Sequence, residues 1–143
     1  MNVTAMDESH VAALATWEAL SFADPWSETA LREELANPCA HFLVAERDGR
    51  VVGYVGCHHM AGEGYITNVA VHPDCRRQGV ARQLLQEALL RWQHLSRVTL
   101  EVRVSNAAAI ALYEGLGFVC EGVRPRFYAH PTEDAAIYSY YKR

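Results

Sequence analysis

The stretch from Tyr65 to Val104 leaves this chain few choices of fold, because it reads as a strand, a sharp turn, an amphipathic helix and a second strand. Tyr65 to Val71 is rich in β-formers and stops at His72-Pro73-Asp74. From Val80 the apolar positions Val80, Leu84, Leu85, Ala88, Leu89 and Trp92 recur on one helical face, so a long helix starts near Gly79. Val98, Leu100, Val102 and Val104 then alternate with Thr99, Glu101 and Arg103, giving a strand with one apolar and one polar face. Two strands joined through a helix in this way run parallel, with a right-handed crossover.

The flanking sequence adds antiparallel elements. Asp7 can cap a first helix that carries Val11, Leu14, Ala15 and Leu20; after a break at Ala23-Asp24-Pro25, Ser27 can cap a second helix through Leu35, ended by Asn37-Pro38. HFLVAER and VVGYVGCHH flank Asp48-Gly49, a strong hairpin signal, and AGEG at Ala61 to Gly64 turns into the strand at Tyr65. Ser105 and Asn106 can cap a helix from Ala107 to Leu116 that Gly117 stops. Phe118 to Val123 and Ala135 to Tyr141 read as two last strands joined by RPRFYAHPTED. The expected order is β, α, α, β, β, β, α, β, α, β, β: an α/β (α+β) fold on a mostly antiparallel sheet with one parallel crossover. At 143 residues, 1–143 reads as a single domain.

Composition excludes several classes. A net charge of -4 gives no electrostatic case for binding nucleic acid, though it permits a basic partner. No apolar run reaches the roughly 18 residues of a membrane span, and MNVTAMDESH lacks the basic and apolar parts of a signal peptide, so a cytoplasmic location is expected. Cys39, Cys57, Cys75 and Cys120 are scattered and read as buried or half-buried free thiols. His58 and His59 point to opposite faces of a strand, so no metal site is expected.

Chemistry concentrates at RRQGVAR, Arg76 to Arg82. Small residues at Gly79 and Ala81 let main-chain N–H groups approach a ligand, and a helix N-terminus adds unpaired donors and positive dipole; with Arg76, Arg77 and Arg82 this suits a pyrophosphate. Charge alone would equally describe a solvated basic turn. The spacing Arg-x-x-Gly-x-Ala after VAVHP, together with LEVRVSN and NAAAIALYEGLGF, resembles the GNAT superfamily of N-acetyltransferases. NVAVHPD, FADPWSE and the late FY…EDA are similar to its ribosomal-protein-alanine N-terminal acetyltransferase (RimI) branch.

The resemblance implies a GNAT fold of about seven strands and about four helices, and acetyl-coenzyme A as cosubstrate without a metal. It implies that backbone amides from Gln78 through Gly79, Val80 and Ala81 to Arg82 hold the pyrophosphate. The main chain of Val69, Ala70 and Val71 would align the pantetheine arm, with Asn106 as a further contact. In relatives a bulge in the strand corresponding to Ile66 to Val71 frees a backbone N–H, so Val71 N–H is the expected donor to the carbonyl oxygen as it becomes negative. Glu101 is the candidate base and Tyr113 the candidate acid for the departing sulfur. Taken alone, a Glu on a strand's polar face is ordinarily solvated and a Tyr at helical spacing ordinarily packs.

Trp26 and Tyr128 are the candidate acceptor-binding residues, with Glu28 or Asp134 facing a basic second residue. The expected acceptor is a protein or peptide N-terminus, an alanine of a small-subunit ribosomal protein. Lysine or small-amine acetylation is the alternative, and a non-catalytic coenzyme A-binding module is a third reading that Glu101, Asn106 and Tyr113 together argue against.

Overall fold

A computed structural model of the chain describes residues 1–22 and 24–142. Ala23 and Arg143 lie outside the described residues, so the break expected at Ala23 to Pro25 is seen from Asp24 onward. Among the described residues the strands are β1 (Asn2–Ala5), β2 (Ala40–Arg47), β3 (Arg50–Met60), β4 (Glu63–Val71), β5 (Arg97–Arg103), β6 (Val119–Tyr128) and β7 (Glu133–Tyr141). They form one sheet in the order β1-β2-β3-β4-β5-β7-β6, in which only the β4–β5 pair is parallel. The helices are α1 (Glu8–Ser21), α2 (Glu28–Ala36), α3 (Val80–Arg91) and α4 (Ala107–Gly115).

Local sequence sets these boundaries. Asp7 caps α1 by accepting from Ser9 N–H, while His10 Nδ1 accepts from Asp7 N–H, so a histidine closes the capping box. Ser27 caps α2 and Asn106 caps α4, each accepting a backbone N–H at 3.1 Å. The hairpin turns Asp48-Gly49 (φ 54°, 75°) and Ala61-Gly62 (φ 53°, 78°) both take left-handed pairs, whose twist matches the flanking strands.

α3 and α4 pack on one sheet face, where Leu84, Leu85 and Ala88 are wholly buried beside Val55 and Leu100. Fully burying each leucine is worth roughly 1.5–3 kcal/mol, enough to seat α3 firmly. α1 and α2 cover the other face through Val11, Leu14, Trp17 and Leu31 over Phe42, Val44 and Tyr54.

Four sequence expectations change. Leu20 is 78% exposed, because it lies nine residues, about half a turn, round from the inward Val11; Glu18 occupies an inward position instead. Val104 falls outside β5 and is exposed. β6 continues through Arg124 to Tyr128, since Arg124 still pairs with Ala135 and Tyr128 with Glu133, so the segment expected as connection is largely strand. Cys57 and Cys75 are buried, but Cys39 and Cys120 are exposed.

The sheet is irregular beside its parallel pair. β4 and β5 pair only at Glu63–Tyr65 with Arg97–Thr99, whereas β5 stays paired to β7 through Arg103. β4 also carries a bulge: Gly56 faces Asn68 while Cys57 faces Ile66, which leaves Thr67 as the extra residue.

A histidine cluster on β2, β3 and the end of α3 makes a prediction possible. The His41 and His59 rings stack at 3.8 Å, and His94 and Trp92 meet His59 edge-on at 5.4 and 5.5 Å. Burial, with His41 and His94 adding repulsion, pushes His59 down to about 4. The unfolded chain takes up this proton near pH 6.5, the folded protein only near 4, so stability is lost as pH falls between those values. His59→Phe keeps a ring in the stack and removes the titration. Its denaturation midpoint is expected to fall less between pH 7 and pH 5 than that of the wild type, in urea titrations at both values.

Candidate active site

A cleft of about 490 Å³ opens where β4 and β5 separate. One wall is Ile66 to Ala70, the other Leu100 to Arg103, and Asn106 and Tyr113 of α4 close one end. The segment after α1 and the end of β6 supply Trp26, Phe127 and Tyr128 at the mouth. A larger groove of about 640 Å³ between α3 and α4 is mostly apolar, with Arg82 and Lys142 as the charged residues described there. The smaller cleft holds Glu101 and Tyr113.

Strand geometry decides which backbone groups face the gap. His72 N–H bonds Val52 C=O on β3, and successive residues of a strand point their peptide groups to opposite sides. Ala70 therefore faces β3, where it pairs with Tyr54, and Val69 and Val71 turn their N–H and C=O groups toward the gap. This corrects the expectation for Ala70, whose backbone serves the sheet and whose side chain is 7% exposed in the α1 face of the core. Val69 lines the cleft; Val71 lies past its edge.

Beyond Val71 the chain makes a short 3-10 turn, Pro73–Cys75, and reaches Gly79 in the left-handed conformation (φ 76°) before α3. The first intrahelical donor is Gln83, bonded to Gly79 C=O, so the amides of Val80, Ala81 and Arg82 precede the ladder. Among the described residues no side chain caps them, and a β-carbon on Gly79 would meet open space. Arg76 and Arg77 are exposed beside this helix end, and Val80 is a core residue that contributes only its backbone there.

Two side chains near this turn are held by neighbours. Gln78, on the surface, accepts from Arg47 at 2.6 Å and donates to Asp74 C=O at 3.3 Å. The Arg82 guanidinium extends across to α4, where a β-carbon on Gly115 would lie 3.2 Å from its Nη1.

Glu101, on the sheet's polar face, is nevertheless enclosed: its side chain is 5% exposed. It accepts a short hydrogen bond from the Tyr65 hydroxyl, and Arg124 Nε lies 3.6 Å away. Burial first, then the Glu101 carboxylate, holds the Tyr65 hydroxyl well above the ordinary phenol range. Tyr113 is 7% exposed, and burial with nearby Tyr128 pushes it up to about 12, so it keeps its proton at neutral pH. Tyr113 packs on Phe118 and lines the cleft at once. Asn106 likewise combines a helix cap with a place on the wall.

At the mouth, Trp26 packs on Phe42 at 5.9 Å between ring centroids and also lines the cleft. Tyr128 lies under the Arg103 guanidinium, 4.5 Å from its centroid. Arg103 pins the β6–β7 turn by donating to Ala129 C=O and Pro131 C=O and pairing with Glu133 at 3.1 Å. The carboxylates expected to face an acceptor are engaged elsewhere: Glu28 pairs with Arg32, and Asp134 accepts Arg126 N–H. Asp24 lines the cleft instead.

The sequence reading missed Tyr65, Arg103 and a second enclosed carboxylate, Glu18, which is 3% exposed on the cleft wall. Burial raises the Glu18 pKa, partly offset by the Tyr54 hydroxyl and Trp26 N–H. A charge at the inward spacing Val11, Leu14, Glu18 was the available signal.

A strand gap with two unpaired peptide edges, an open helix N-terminus beyond it and an enclosed carboxylate and phenol within it are features that acyl transfer from an extended donor could use. Residues 11–118 match the model of the Acetyltransferase (GNAT) family, and the chain belongs to that family. The [ribosomal protein bS18]-alanine N-acetyltransferase of Escherichia coli K12 is 33% identical over 134 residues, 92% of this chain and 88% of that protein. The N-alpha-acetyltransferase RimI of Mycobacterium tuberculosis is 38% identical over 116 residues, 78% of this chain and 73% of its own. The crystal structure of the Escherichia coli ribosomal-protein-S18-alanine N-acetyltransferase superimposes with a TM-score of 0.90 at 30% identity, covering 99% of this chain and 93% of that one.

The residues present fit the acetyl-coenzyme A such enzymes use: the gap takes an extended arm, and the α3 N-terminus takes an anion. Gly79→Glu sets a negative charge in the open space before α3. Its affinity for acetyl-coenzyme A in calorimetry is expected to fall beyond detection in a folded variant, with a much smaller loss for Arg77→Ala; unchanged affinity in Gly79→Glu would contradict the anion assignment.

Proposed function

We propose that the chain works as one catalytic domain that acetylates the N-terminal α-amine of a protein, with the N-terminal alanine of a small-subunit ribosomal protein as acceptor. The observation that carries this is the enclosed Glu101 facing the same cleft as Tyr113, across a strand gap whose Val69 amide is free of the sheet. The Escherichia coli relative is named for acetylating the alanine of ribosomal protein bS18, which supports the acceptor.

When bound, acetyl-coenzyme A supplies an acyl thioester. The amides of Val80, Ala81 and Arg82, with Gly79 leaving them room and Arg76 and Arg77 adding charge, hold the pyrophosphate. Val71 and Val69 align the arm through backbone hydrogen bonds, and Asn106 borders it. Val69 N–H, deeper in the cleft than Val71, faces the carbonyl oxygen as negative charge builds there. Glu101 takes the proton that the amine loses as its nitrogen bonds to the carbonyl carbon. Tyr113 gives its proton to sulfur as the C–S bond breaks. Tyr65 and Arg124 hold the Glu101 carboxylate in place.

The acceptor class follows from acidity. An α-amine of pKa about 7.8 is roughly 14% neutral at pH 7, whereas a lysine of pKa about 10.4 is only about 0.04% neutral. One carboxylate suffices for the first. Trp26 and Tyr128 flank the entrance and Asp24 gives it negative charge. Peptides with a free N-terminal alanine, other N-termini, or a blocked N-terminus with an internal lysine, incubated with acetyl-coenzyme A and mapped by mass spectrometry, test this reading. Acetylation is expected at the α-amine of the alanine peptide; modification confined to lysine would overturn it.

Tyr113→Phe keeps the packed ring and removes the acid. Its kcat is expected to fall roughly 10²- to 10⁴-fold with acetyl-coenzyme A affinity unchanged. Glu101→Gln is expected to lose rate near pH 7 and recover part of it by pH 9, where solvent has deprotonated an α-amine. A constant deficit from pH 6.5 to 9 would remove Glu101 from the proton transfer.

A further inference from the structure

One wall of the cleft carries a chain of polar groups that the acid and base do not account for. Thr67 Oγ1 donates to Asn68 Oδ1 at 2.5 Å, and Asn68 Nδ2 donates to the Tyr54 hydroxyl at 3.3 Å. The Tyr54 hydroxyl shares the cleft wall with the Glu18 carboxylate, near enough for that carboxylate to raise the tyrosine's pKa, and Glu18 also accepts Trp26 N–H at 3.3 Å. Both ends of the chain face the cleft, and Thr67 is the extra residue of the β4 bulge.

The chain runs in one direction only. Burial and the Glu18 carboxylate hold the Tyr54 hydroxyl protonated, so Tyr54 directs its proton toward Glu18 and its oxygen accepts from Asn68 Nδ2. Asn68 then presents Oδ1 to Thr67, whose single proton is committed there. Thr67 Oγ1 is left with lone pairs and no proton for the cleft. An attacking primary amine has a lone pair for the carbonyl carbon and two N–H bonds; Glu101 receives one proton, and the other N–H is left for an acceptor on the facing wall.

We propose that Thr67 Oγ1 is that acceptor, and that Glu18 is a positioning residue which, through Tyr54 and Asn68, keeps it one. The proposal rests on the N-acetyltransferase reading above. Glu18→Gln preserves shape and reverses the chain: the new NH₂ donates to Tyr54, Tyr54 donates to an Asn68 amide that has flipped, and Asn68 donates to Thr67. The Thr67 proton then points at the amine's own N–H.

The test is steady-state kinetics with an N-terminal alanine peptide and acetyl-coenzyme A on Glu18→Gln, Thr67→Val, Thr67→Ser and the double variant Glu18→Gln/Thr67→Val. Thr67→Val and Glu18→Gln are each expected to lower kcat/KM for the peptide about tenfold, the scale of one hydrogen bond, with KM for acetyl-coenzyme A unchanged. Thr67→Ser keeps the hydroxyl and is expected to stay near wild type. The double variant is expected to match Thr67→Val alone, since Glu18 acts through a group already removed. Losses that multiply in the double variant would overturn the chain, because Glu18 would then act elsewhere, for instance only on the Trp26 loop. Thr67→Val at wild-type rate would overturn it even if Glu18→Gln fails to fold. Wild-type protein that acetylates no N-terminal peptide defeats both this proposal and the reading beneath it, whereas wild-type turnover with a silent Thr67→Val defeats the chain alone.

Discussion

Everything at the site depends on one interruption of sheet pairing. β4 and β5 hold each other over three residue pairs and then part, while β3 keeps its grip on β4 and β7 keeps its grip on β5. Each strand is thus fixed from behind, and the gap is a rigid feature with backbone donors and acceptors on its β4 edge. A fully paired sheet would consume those groups. Leaving them in a closed interior would cost about as much as losing a hydrogen bond each, so the gap makes physical sense as a place where another chain-like molecule completes the pairing.

The two carboxylates of the cleft show how enclosure changes what a residue can do. Glu101 sits on a strand face where a charge is ordinarily solvated, yet Tyr65, Arg124 and the neighbouring sheet leave its side chain 5% exposed. Glu18 sits on the inner stripe of α1 where an apolar side chain is ordinarily found, satisfied by Tyr54 and the Trp26 amide. Removing a partner from either leaves a buried charge short of donors, which costs more than the missing bond itself.

Much of this was legible beforehand because it is local. Asp7, Ser27 and Asn106 announce helix starts, Asp48-Gly49 a hairpin, and Gly79 a left-handed residue before α3; each operates within a few residues of itself. The crossover helix followed from periodicity. Glu101 and Tyr113 were visible as residue types in a resembling pattern, but their enclosure depends on Tyr65, Arg124 and Tyr128, which are distant in sequence. The bulge at Thr67 left no mark in the residues themselves, since TNVAV alternates no differently from a regular strand, and it was expected only through the resemblance; it makes Thr67 the extra residue beside Asn68. The acceptor wall was read from the resemblance: Trp26 and Tyr128 do line the cleft, while Glu28 pairs with its neighbour Arg32 and Asp134 with the Arg126 amide.

Residue-resolved amide hydrogen exchange on β4 tests the gap itself. In the protein alone, Ala70 is bonded to β3 and is expected to exchange slowly, while Val69 and Val71 exchange fast; added acetyl-coenzyme A is expected to slow Val69 and Val71 and leave Ala70 unchanged. Protection of Val69 and Val71 in the protein alone, or fast exchange that acetyl-coenzyme A does not alter, would contradict the assignment of that edge to the acyl donor.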